Sequence, residues 1–561
     1  MLEPHYTATK ANVLSLIRVT YLISISKVVY GKKKLWMDLD GFMFQSITSQ
    51  INSSSSFLST LGILLGVTSI ASVMSWRWWK QKEAYNSLKS LPSPPQYWVL
   101  GNLPQILAAV KQKKLFQQFF DWSQQLGPMY VIWNGRTPVV ILSKPKVIED
   151  TIINGMRDGS LIRSKQLREA WNDMSGSIML GETGTEWQWR RKAWNPEFTS
   201  SNVSKYLEII SQACEQVIET LKQVAPQKEV EVDTLFVELT MRVISSLVLG
   251  IPVDRNSTSQ SGPPLEVSNL YEAMSIVGYR FLRQATGEKI WMKYLPTQNS
   301  RDYWAAKRYL TEFLTPRVDL ALQMREQNQT DFPQVSSLFR ESMLVKIAAK
   351  EPKYDRETLI SESIELLIAG TDTTAHTLSF ALGELSLNQR VFQQARDIVD
   401  QAWEKQSGIN LENLKELAYI RAIIKETLRL YSVASGSTTL EAQRDTLIEG
   451  TVIPRGTRVS WSMLAAGRDP EVYAHPEEFL PERWLDKNKE TSSLPMIDFG
   501  SGSHRCLGEH LSMLEGTMML ALLLRHFDWE LVKGRSSLEQ LQQNLLIYPS
   551  DRMPVRFRGR N

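Results

Sequence analysis

Apolar residues recur at three- and four-residue intervals over most of residues 105–435, which is the pattern of amphipathic helices. The clearest example is residues 355–387, where Ile360 and Ile364 begin a series at helical spacing. Asp355 precedes this series and is a suitable N-cap, because its carboxylate can accept a hydrogen bond from a free backbone N–H. We therefore predict a long central helix within a largely helical region.

The pattern changes after this helical region. Residues 451–463 alternate apolar and polar side chains around a Pro/Gly turn, which predicts short strands. An irregular Pro-rich stretch follows at residues 469–484, and a last apolar helix is expected to begin near Glu509. Because no flexible linker divides residues 97–561, we expect one large domain there, mainly α with small β-sheets (α+β).

The N-terminal part predicts a membrane anchor. Residues 57–76 are twenty positions without a charge, and a helix of that length crosses the roughly 30 Å hydrocarbon core of a bilayer. Aromatic and basic residues follow at once, which favours a single-pass protein with a cytoplasmic catalytic domain, in the endoplasmic reticulum if the source is eukaryotic. Residues 77–96 are first basic and then Pro-rich, as in a stiff hinge. Residues 1–56 form an extension whose basic start fits a targeting peptide, an interfacial helix or a true start at Met37.

Composition narrows the function classes. With 43% hydrophobic and 22% charged residues, the chain is globular in character. Its net charge of +4 provides no concentrated basic patch, so we expect no nucleic-acid partner. The only two cysteines are Cys214 and Cys506, which excludes a zinc site built mainly from thiolates and argues against a disulfide framework.

The strongest chemical signal is residues 499–508, FGSGSHRCLG. Its glycines permit a tight turn and close approach of the backbone to a flat group. Cys506 directly precedes the last helix, whose N-terminus, together with Arg505, would favour the thiolate that serves as an axial ligand of haem iron. Three other interpretations stay open on these residues alone: a buried structural thiol, a nucleophile with a histidine base, and a zinc site with His504 and His510.

The same segment resembles the cysteine signature of the cytochrome P450 family. Phe499 lies seven residues before Cys506 and Gly508 lies two residues after it, and the resemblance extends over most of residues 92–550. It implies the cytochrome P450 fold and haem b as the cofactor. Cys506 would be the axial ligand of the haem iron, and Phe499, Gly502 and Gly508 would shape the loop beneath the haem.

Three further motifs carry the resemblance. Glu426 and Arg429 match the family's Glu-x-x-Arg helix, lie on one helix face and can pair. Arg483, in the segment PERW, matches the arginine that completes a structural Glu-Arg-Arg cluster. Trp187 and Arg191 match the Trp-x-x-x-Arg helix, and one helical turn places both on the face suited to a haem propionate.

Residues 369–374, AGTDTT, resemble the oxygen-activation motif of the family's central helix. The resemblance implies that Gly370 leaves room for dioxygen and that Thr373 and Asp372 manage the two protons needed for each O–O cleavage. The alternative is a helix kinked by glycine and threonine for packing. His376, two residues further on, is expected to be packed or hydrogen-bonded rather than a ligand.

The chain departs from the family pattern at three places. His504 stands where arginine is usual, and is a candidate propionate contact. Glu441 occupies, in the best register, the place of a strand arginine that meets a propionate. Residues 430–434 lack the usual prolines. These departures put in doubt the propionate contacts and the pocket shape, but neither the thiolate nor the proton relay.

The implied function is a mono-oxygenase that inserts one atom of O₂ into a hydrophobic small molecule. Its electrons would come from NAD(P)H through a separate reductase or ferredoxin-type donor, docking near Arg190, Arg191 and Lys192. Aromatic residues of the variable regions, such as Phe281 and Trp291, suggest only an apolar substrate. The alternatives are a haem-thiolate isomerase or dehydratase acting on a peroxide, and a non-catalytic haem-binding membrane protein.

Overall fold

The computed structural model describes residues 85–560 except 177, 225–227, 253–266, 328–333, 406–409, 436–437 and 486–496, and also positions 68, 69 and 72. Residues 1–56 and nearly all of the expected membrane span 57–76 therefore lie outside the described residues. Among the helices that are described, none is both long enough and apolar enough to cross a membrane.

The described domain begins at Tyr85, where a compact unit starts. Leu88 is fully buried, and the backbone N–H of Val131 donates to the carbonyl of Pro92 at 2.9 Å. The Pro-rich part of the expected hinge, residues 92–96, has no regular secondary structure. It is nevertheless attached to the domain through this hydrogen bond.

Helices dominate the domain. Those of the first half are α1 (Leu103–Lys111), α2 (Leu115–Leu126), α3 (Pro145–Arg157), α4 (Lys165–Ser175), α5 (Gly184–Trp194), α6 (Ser200–Val203), α7 (Leu207–Val224), α8 (Val232–Leu249), α9 (Val267–Thr286) and α10 (Gln298–Gln327). Those of the second half are α11 (Ser337–Arg340), α12 (Met343–Lys350), α13 (Arg356–Leu387), α14 (Gln389–Lys405), α15 (Leu411–Glu416), α16 (Ala418–Tyr431), α17 (Met463–Ala466), α18 (Glu509–His526) and α19 (Ser536–Glu539). Short 3-10 helices lie at Asn86–Ser90, Asn195–Phe198, Ser204–Tyr206, Ile290–Tyr294, Pro481–Trp484 and Gly502–His504.

The strands are short and lie in small sheets. They are β1 (Met129–Asn134), β2 (Thr137–Leu142), β3 (Leu161–Arg163), β4 (Val230–Glu231), β5 (Leu440–Ala442), β6 (Thr446–Ile448), β7 (Thr451–Ile453), β8 (Arg458–Trp461), β9 (Phe527–Leu531), β10 (Leu541–Gln543), β11 (Ile547–Pro549) and β12 (Pro554–Gly559). The largest sheet has the order β1-β2-β8-β5-β3, in which β2 and β8 are parallel and the other pairs antiparallel. With 64% helix and 11% strand, the expected mainly α fold with small β-sheets is confirmed.

Helix α13 is the centre of the domain. Its 32 residues span about 48 Å at 1.5 Å per residue, and it packs against α8, α10, α16 and α18. Nearly all of its side chains between Leu359 and Leu385 are buried, including polar ones. The core is therefore arranged around this helix, and polar groups on it must find partners inside the protein.

The expected element boundaries agree with the structure in most places. Asp355 caps α13, since its carboxylate accepts a hydrogen bond from the backbone N–H of Thr358 at 2.8 Å. Strands β7 and β8 flank the Pro/Gly turn, and α18 begins at Glu509 as predicted. Met463 differs, because it starts the short helix α17 instead of continuing a strand.

Candidate functional site

Cys506 lies at the end of a closed loop. The backbone N–H of Cys506 donates to the carbonyl of Phe499 at 2.6 Å, which joins the two ends of the segment. Gly500 and Gly502 have φ of 72° and 64°, a left-handed conformation that residues with a Cβ rarely adopt. Gly508 is the N-cap residue of α18. The glycine pattern of the sequence therefore builds a turn that presents the cysteine at the start of a helix.

Cys506 is exposed as a residue, although protein atoms surround its thiol group. Burial raises the pKa of the Cys506 thiol, while a hydrogen bond from the backbone N–H of Gly508 lowers it; Glu509 raises it, and Arg191 and Arg505 lower it. The net direction is upward, contrary to the expected preference for the thiolate, because burial is the largest influence on this pKa. A bound metal ion would reverse this balance, since a coordinating thiol loses its proton.

Polar side chains of α5 lie beside this loop. The rings of Trp187 and His504 stack with centroids 3.8 Å apart. Arg191 donates from Nη2 to the carbonyl of Arg505 at 2.7 Å. Arg191 Nε and His504 Nδ1 are buried without a hydrogen-bond partner. The structure thus brings the predicted Trp187, Arg191 and His504 together next to Cys506, with buried polar atoms that still need partners.

Arg163 joins this group and was not anticipated from the sequence. It ends strand β3, is buried, and donates from Nη1 to the carbonyl of Met179 at 3.1 Å. Burial and, to a smaller extent, the charge of Arg191 lower the pKa of Arg163 to about 10, against the opposing effect of Glu365. Burial, Arg163 and Arg191 together lower the pKa of His504 to about 3. Two guanidinium groups and a neutral imidazole at one place suit a ligand with carboxylates, such as the propionates of haem.

The three other interpretations of Cys506 receive no support. Cys214 is the fully buried thiol, whereas Cys506 is exposed. A histidine with the low pKa of His504 is a weak base for a nucleophile. Across the described parts of the chain, no group of three or more His, Cys, Asp or Glu residues is placed to hold a metal ion, which argues against zinc at His504, Cys506 and His510.

The expected Glu-Arg-Arg cluster is present. Arg429 donates to both carboxylate oxygens of Glu426, from Nε at 2.9 Å and from Nη2 at 2.7 Å. Arg483 donates from Nε to the same carboxylate at 3.0 Å. Arg429 also holds the carbonyls of Gly467 and Pro476, each at 2.6 Å. The cluster therefore fastens helix α16 to the irregular chain that precedes the cysteine loop.

Helix α13 supplies the predicted acid and alcohol. Thr373 donates from Oγ1 to the carbonyl of Ala369 at 2.8 Å, and both residues keep accessible surface in an otherwise buried helix. Asp372 Oδ1 is buried without a partner, and burial raises the pKa of its carboxyl. Thr374 bonds Ser512 on α18 at 2.9 Å, which connects this segment to the cysteine helix.

Gly370 has a different role from the one expected. A Cβ at this position would lie 2.6 Å from Cγ1 of Ile244 on α8. The missing side chain therefore allows α8 and α13 to approach each other closely, which is a packing requirement. The expectation that Gly370 leaves room for dioxygen is not supported, because the space is filled by Ile244.

One other expectation needs correction, and the departure at Glu441 can now be described. Arg190 is not on a docking surface, because it is buried and pairs with Glu362 at 2.8 Å; Lys192 is exposed. Glu441 lies on β5 and its carboxylate accepts a hydrogen bond from the backbone N–H of Lys165 at 3.3 Å. It holds the start of helix α4, a role that a propionate contact would not require.

Comparison with known proteins agrees with this geometry. The family model described as cytochrome P450 matches residues 91–557. Cytochrome P450 71B10 of Arabidopsis thaliana is 28% identical over 496 residues, which cover 85% of this chain and 92% of that protein. Cytochrome P450 3A6 of Oryctolagus cuniculus is 26% identical over 462 residues, or 80% and 88% of the two chains. Cytochrome P450 3A13 of Mus musculus is 24% identical over 477 residues, or 84% and 92%.

The range matched by the family model includes the cysteine loop, the central helix and the Glu-Arg-Arg cluster. Family membership determines the cofactor, which is haem iron, and the source of electrons, which is NAD(P)H through a redox partner. It also determines the general reaction, in which O₂ is the oxidant. The chain belongs to the cytochrome P450 family and is a haem-thiolate mono-oxygenase.

Proposed function

We propose that this enzyme hydroxylates or epoxidises a hydrophobic small molecule, with Cys506 as the axial ligand of the haem iron. The observation that carries the proposal is the position of Cys506, an exposed residue at the end of a closed loop, beside Trp187, Arg191 and His504. When bound, haem iron supplies dioxygen binding and O–O cleavage, which a thiolate ligand promotes. Arg163, Arg191 and His504 would hold the propionates, because their unpaired or cationic groups suit carboxylates.

The direct test uses isotope-labelled dioxygen. The purified chain is incubated with NADPH, a flavoprotein reductase and three probes of different classes: dodecanoic acid, testosterone and geraniol. A shift of the haem spin state identifies the probe that binds, and mass spectrometry then follows the label. Incorporation of one labelled oxygen atom with matched NADPH consumption is expected. Product formed from a peroxide without dioxygen or NADPH would indicate an isomerase or dehydratase instead.

We further propose that Thr373 and Asp372 deliver the two protons. The Thr373 hydroxyl lies on the part of α13 that keeps accessible surface, and Asp372 is next to it with a carboxyl whose pKa is raised by burial. A carboxyl of this kind can carry a proton nearer to neutral pH. Asp372→Asn should lower product formation per NADPH by about 10²-fold or more, in the range of general acid catalysis. Unchanged coupling in this variant would contradict the assignment.

The apolar character of the substrate rests on aromatic side chains near the variable regions. Phe281 on α9 is buried and packs against Trp171 on α4 with ring centroids 4.0 Å apart. Trp291 and Tyr294, also considered from the sequence, are mostly exposed. Phe281→Ala should therefore change the order in which the three probes shift the haem spin state. The exposed Trp291→Ala serves as its control, and an identical order in both variants would contradict the proposal.

The redox partner is proposed to dock on basic residues near the cysteine helix. Arg190 is excluded by its burial, and Arg191 is engaged with the carbonyl of Arg505. Lys192 remains, together with Arg421, Lys425 and Arg505. The last three lie near one another, since Arg421 and Arg505 both influence the pKa of Lys425. The double variant Lys192→Glu and Lys425→Glu should slow reductase-supported reduction, and the effect should diminish at high salt. Lys89→Glu, another exposed lysine, is the control; equal rates in all proteins would contradict the docking face.

The membrane anchor stays a proposal based on residues 57–76 and the basic residues that follow them. The full chain should remain in the membrane pellet after an alkaline wash, with the catalytic domain open to protease on the cytoplasmic side. Release of the chain into the supernatant would contradict single-pass insertion. Protection of the domain inside vesicles would contradict the cytoplasmic orientation.

A further inference from the structure

A buried ion pair connects helices α8 and α13 behind the proposed proton donor. His376 Nδ1 lies 2.7 Å from Oδ1 of Asp233, and both side chains are almost completely buried. Asp233 also accepts hydrogen bonds from Ser379 Oγ at 2.9 Å and from Arg552 Nη1 at 2.8 Å. Because the ionised Asp233 is surrounded by donors, His376 carries its hydrogen on Nδ1 and leaves Nε2 available for proton exchange.

His376 and Asp372 line the same small cavity. They are one turn apart on α13, and the cavity wall also includes Tyr271, Tyr548 and Arg552. Its volume of about 20 Å³ has room for one water molecule. Asp372 Oδ1 is buried there without a hydrogen-bond partner. A water in the cavity could therefore connect the imidazole of His376 to the carboxyl of Asp372.

The charges of this cluster favour proton transfer between the two residues. The cluster contains two acidic residues, Asp233 and Asp372, and two basic residues, His376 and Arg552. Tyr271 is hydrogen-bonded to both Asp372 and Arg552. Moving one proton from the imidazolium to the Asp372 carboxylate neutralises both groups, so the transfer leaves no isolated charge buried on either of them. Asp233 helps to raise the pKa of His376 against the effect of burial, which keeps a proton on the ring nearer to neutral pH.

The cluster also reaches solvent. The Arg552 side chain is 32% exposed, whereas those of Asp233 and His376 are 0% and 3% exposed. Arg552 bonds Asp233 at the inner end and lies over the ring of Tyr548 at 4.8 Å. Protons from bulk water can thus enter the cluster beside Arg552, which lines the cavity.

We propose that His376 is a relay residue that returns protons to Asp372 through a water in this cavity, with Asp233 and Arg552 fixing its orientation. The inference rests on the proposed role of Asp372. The reaction RH + O₂ + 2 e⁻ + 2 H⁺ gives ROH + H₂O, and each proton leaves Asp372 by way of Thr373. The N–H bond at Nε2 of His376 then breaks as the carboxylate of Asp372 is protonated, and the imidazole regains a proton from bulk water. His376 acts through Asp372 and does not touch the substrate.

The test measures how the enzyme divides dioxygen between water and hydrogen peroxide. It is made without substrate, with NADPH and a saturating flavoprotein reductase, so that no substrate has to be known. Full reduction consumes two NADPH for each O₂ and gives water, while release of hydrogen peroxide consumes one. In His376→Asn the amide keeps a donor for Asp233 but cannot pass a proton. The rate of water formation should fall about tenfold or more, with peroxide formed instead and a larger solvent deuterium isotope effect.

Matched variants separate a relay from a structural role. Ser379→Ala removes another hydrogen bond to Asp233 without an ionisable group, and should keep the wild-type ratio of water to peroxide. If His376→Asn folds poorly, His376→Gln provides a second measurement. A wild-type ratio and isotope effect in a folded His376 variant would overturn the inference, as would an equal change in Ser379→Ala.

Failure of the relay can be told from failure of the proposed function. If Asp372→Asn shifts the products to peroxide but the His376 variants do not, only the relay is wrong. If Asp372→Asn has no effect, the role of Asp372 itself is wrong. A ¹⁵N spectrum of the histidine side chains gives a readout independent of turnover: the resonance lost in His376→Asn should show a bound Nδ1 hydrogen, and a freely exchanging ring would contradict the pair with Asp233.

Discussion

Replacing Arg429 with methionine would remove the cation at the centre of the Glu-Arg-Arg cluster while keeping a side chain of similar length. Arg429 is 1% exposed and Glu426 is 0% exposed. Besides its two bonds to Glu426, Arg429 donates to the carbonyls of Gly467, Pro476 and Glu478 at 2.6, 2.6 and 3.0 Å. The substitution therefore leaves a buried carboxylate and these backbone carbonyls with fewer donors.

The cost follows from that burial. Glu426 keeps Arg483 Nε at 3.0 Å, Trp484 Nε1 at 2.9 Å and the backbone N–H of Leu480 at 2.9 Å. Removing one partner of a buried ion pair typically costs about 3–5 kcal/mol, because the remaining charge is poorly compensated. Total stabilities are usually about 5–15 kcal/mol. Arg429→Met should therefore lose a large share of the unfolding free energy and accumulate less haem-loaded protein.

Urea unfolding followed by tryptophan fluorescence measures this loss. The double variant Glu426→Gln and Arg429→Met should be less destabilised than the sum of the single variants by about 1–3 kcal/mol, because the unpaired charge is then absent. Lys405→Met is the control: it breaks the ion pair with Glu416, whose partners are 64% and 47% exposed, and should cost less than about 1 kcal/mol. A similarly small loss for Arg429→Met, or strict additivity, would refute the reasoning.

Three other predictions concern packing, pH and haem retention. Gly370→Ala should cost about 1–3 kcal/mol in urea unfolding by overpacking against Ile244, and an unchanged midpoint would contradict it. Burial raises the pKa of Glu515 from 4.5 to about 8, so the neutral acid is the folded form, and stability present below pH 4.5 is lost as pH rises towards 8. The difference in unfolding free energy between Glu515→Gln and the wild type should therefore change in favour of the variant between pH 4.5 and about pH 8 only. Parallel pH profiles of the two proteins would contradict this prediction. His504→Ala should speed haem transfer to apomyoglobin about tenfold through loss of a hydrogen bond to a charged group, whereas the exposed Ser503→Ala should not.

Local patterns made most of the fold predictable. The helical periodicity of the apolar residues that follow Asp355 predicted helix α13 and its N-cap, because both depend on residues within a few positions of each other. Glu426 and Arg429 share a helix face by spacing alone. The glycines around Cys506 predicted a tight turn, and two of them indeed have positive φ. Each of these features requires only local geometry and the periods of helices and strands.

Features that depend on tertiary packing were not predictable in the same way. Arg163 comes from a three-residue strand, and nothing in its neighbourhood along the chain indicates that it meets Arg191. His376 and Asp233 are 143 residues apart, so their pairing follows only from the packing of α8 on α13. Arg190 is adjacent to Arg191 yet faces inward to Glu362. The Trp-x-x-x-Arg motif does not specify whether the residue next to its arginine is buried or exposed.

The reduced carbon monoxide adduct of the full chain tests the central claim most directly. If the Cys506 thiolate binds the haem iron, the adduct should show the strongly red-shifted absorption of a thiolate-ligated haem. Cys506→His should keep bound haem but lose that red shift, while Cys214→Ser, at the buried thiol, should retain it. A wild-type adduct without the red shift, or a red shift that survives in Cys506→His, would contradict the account.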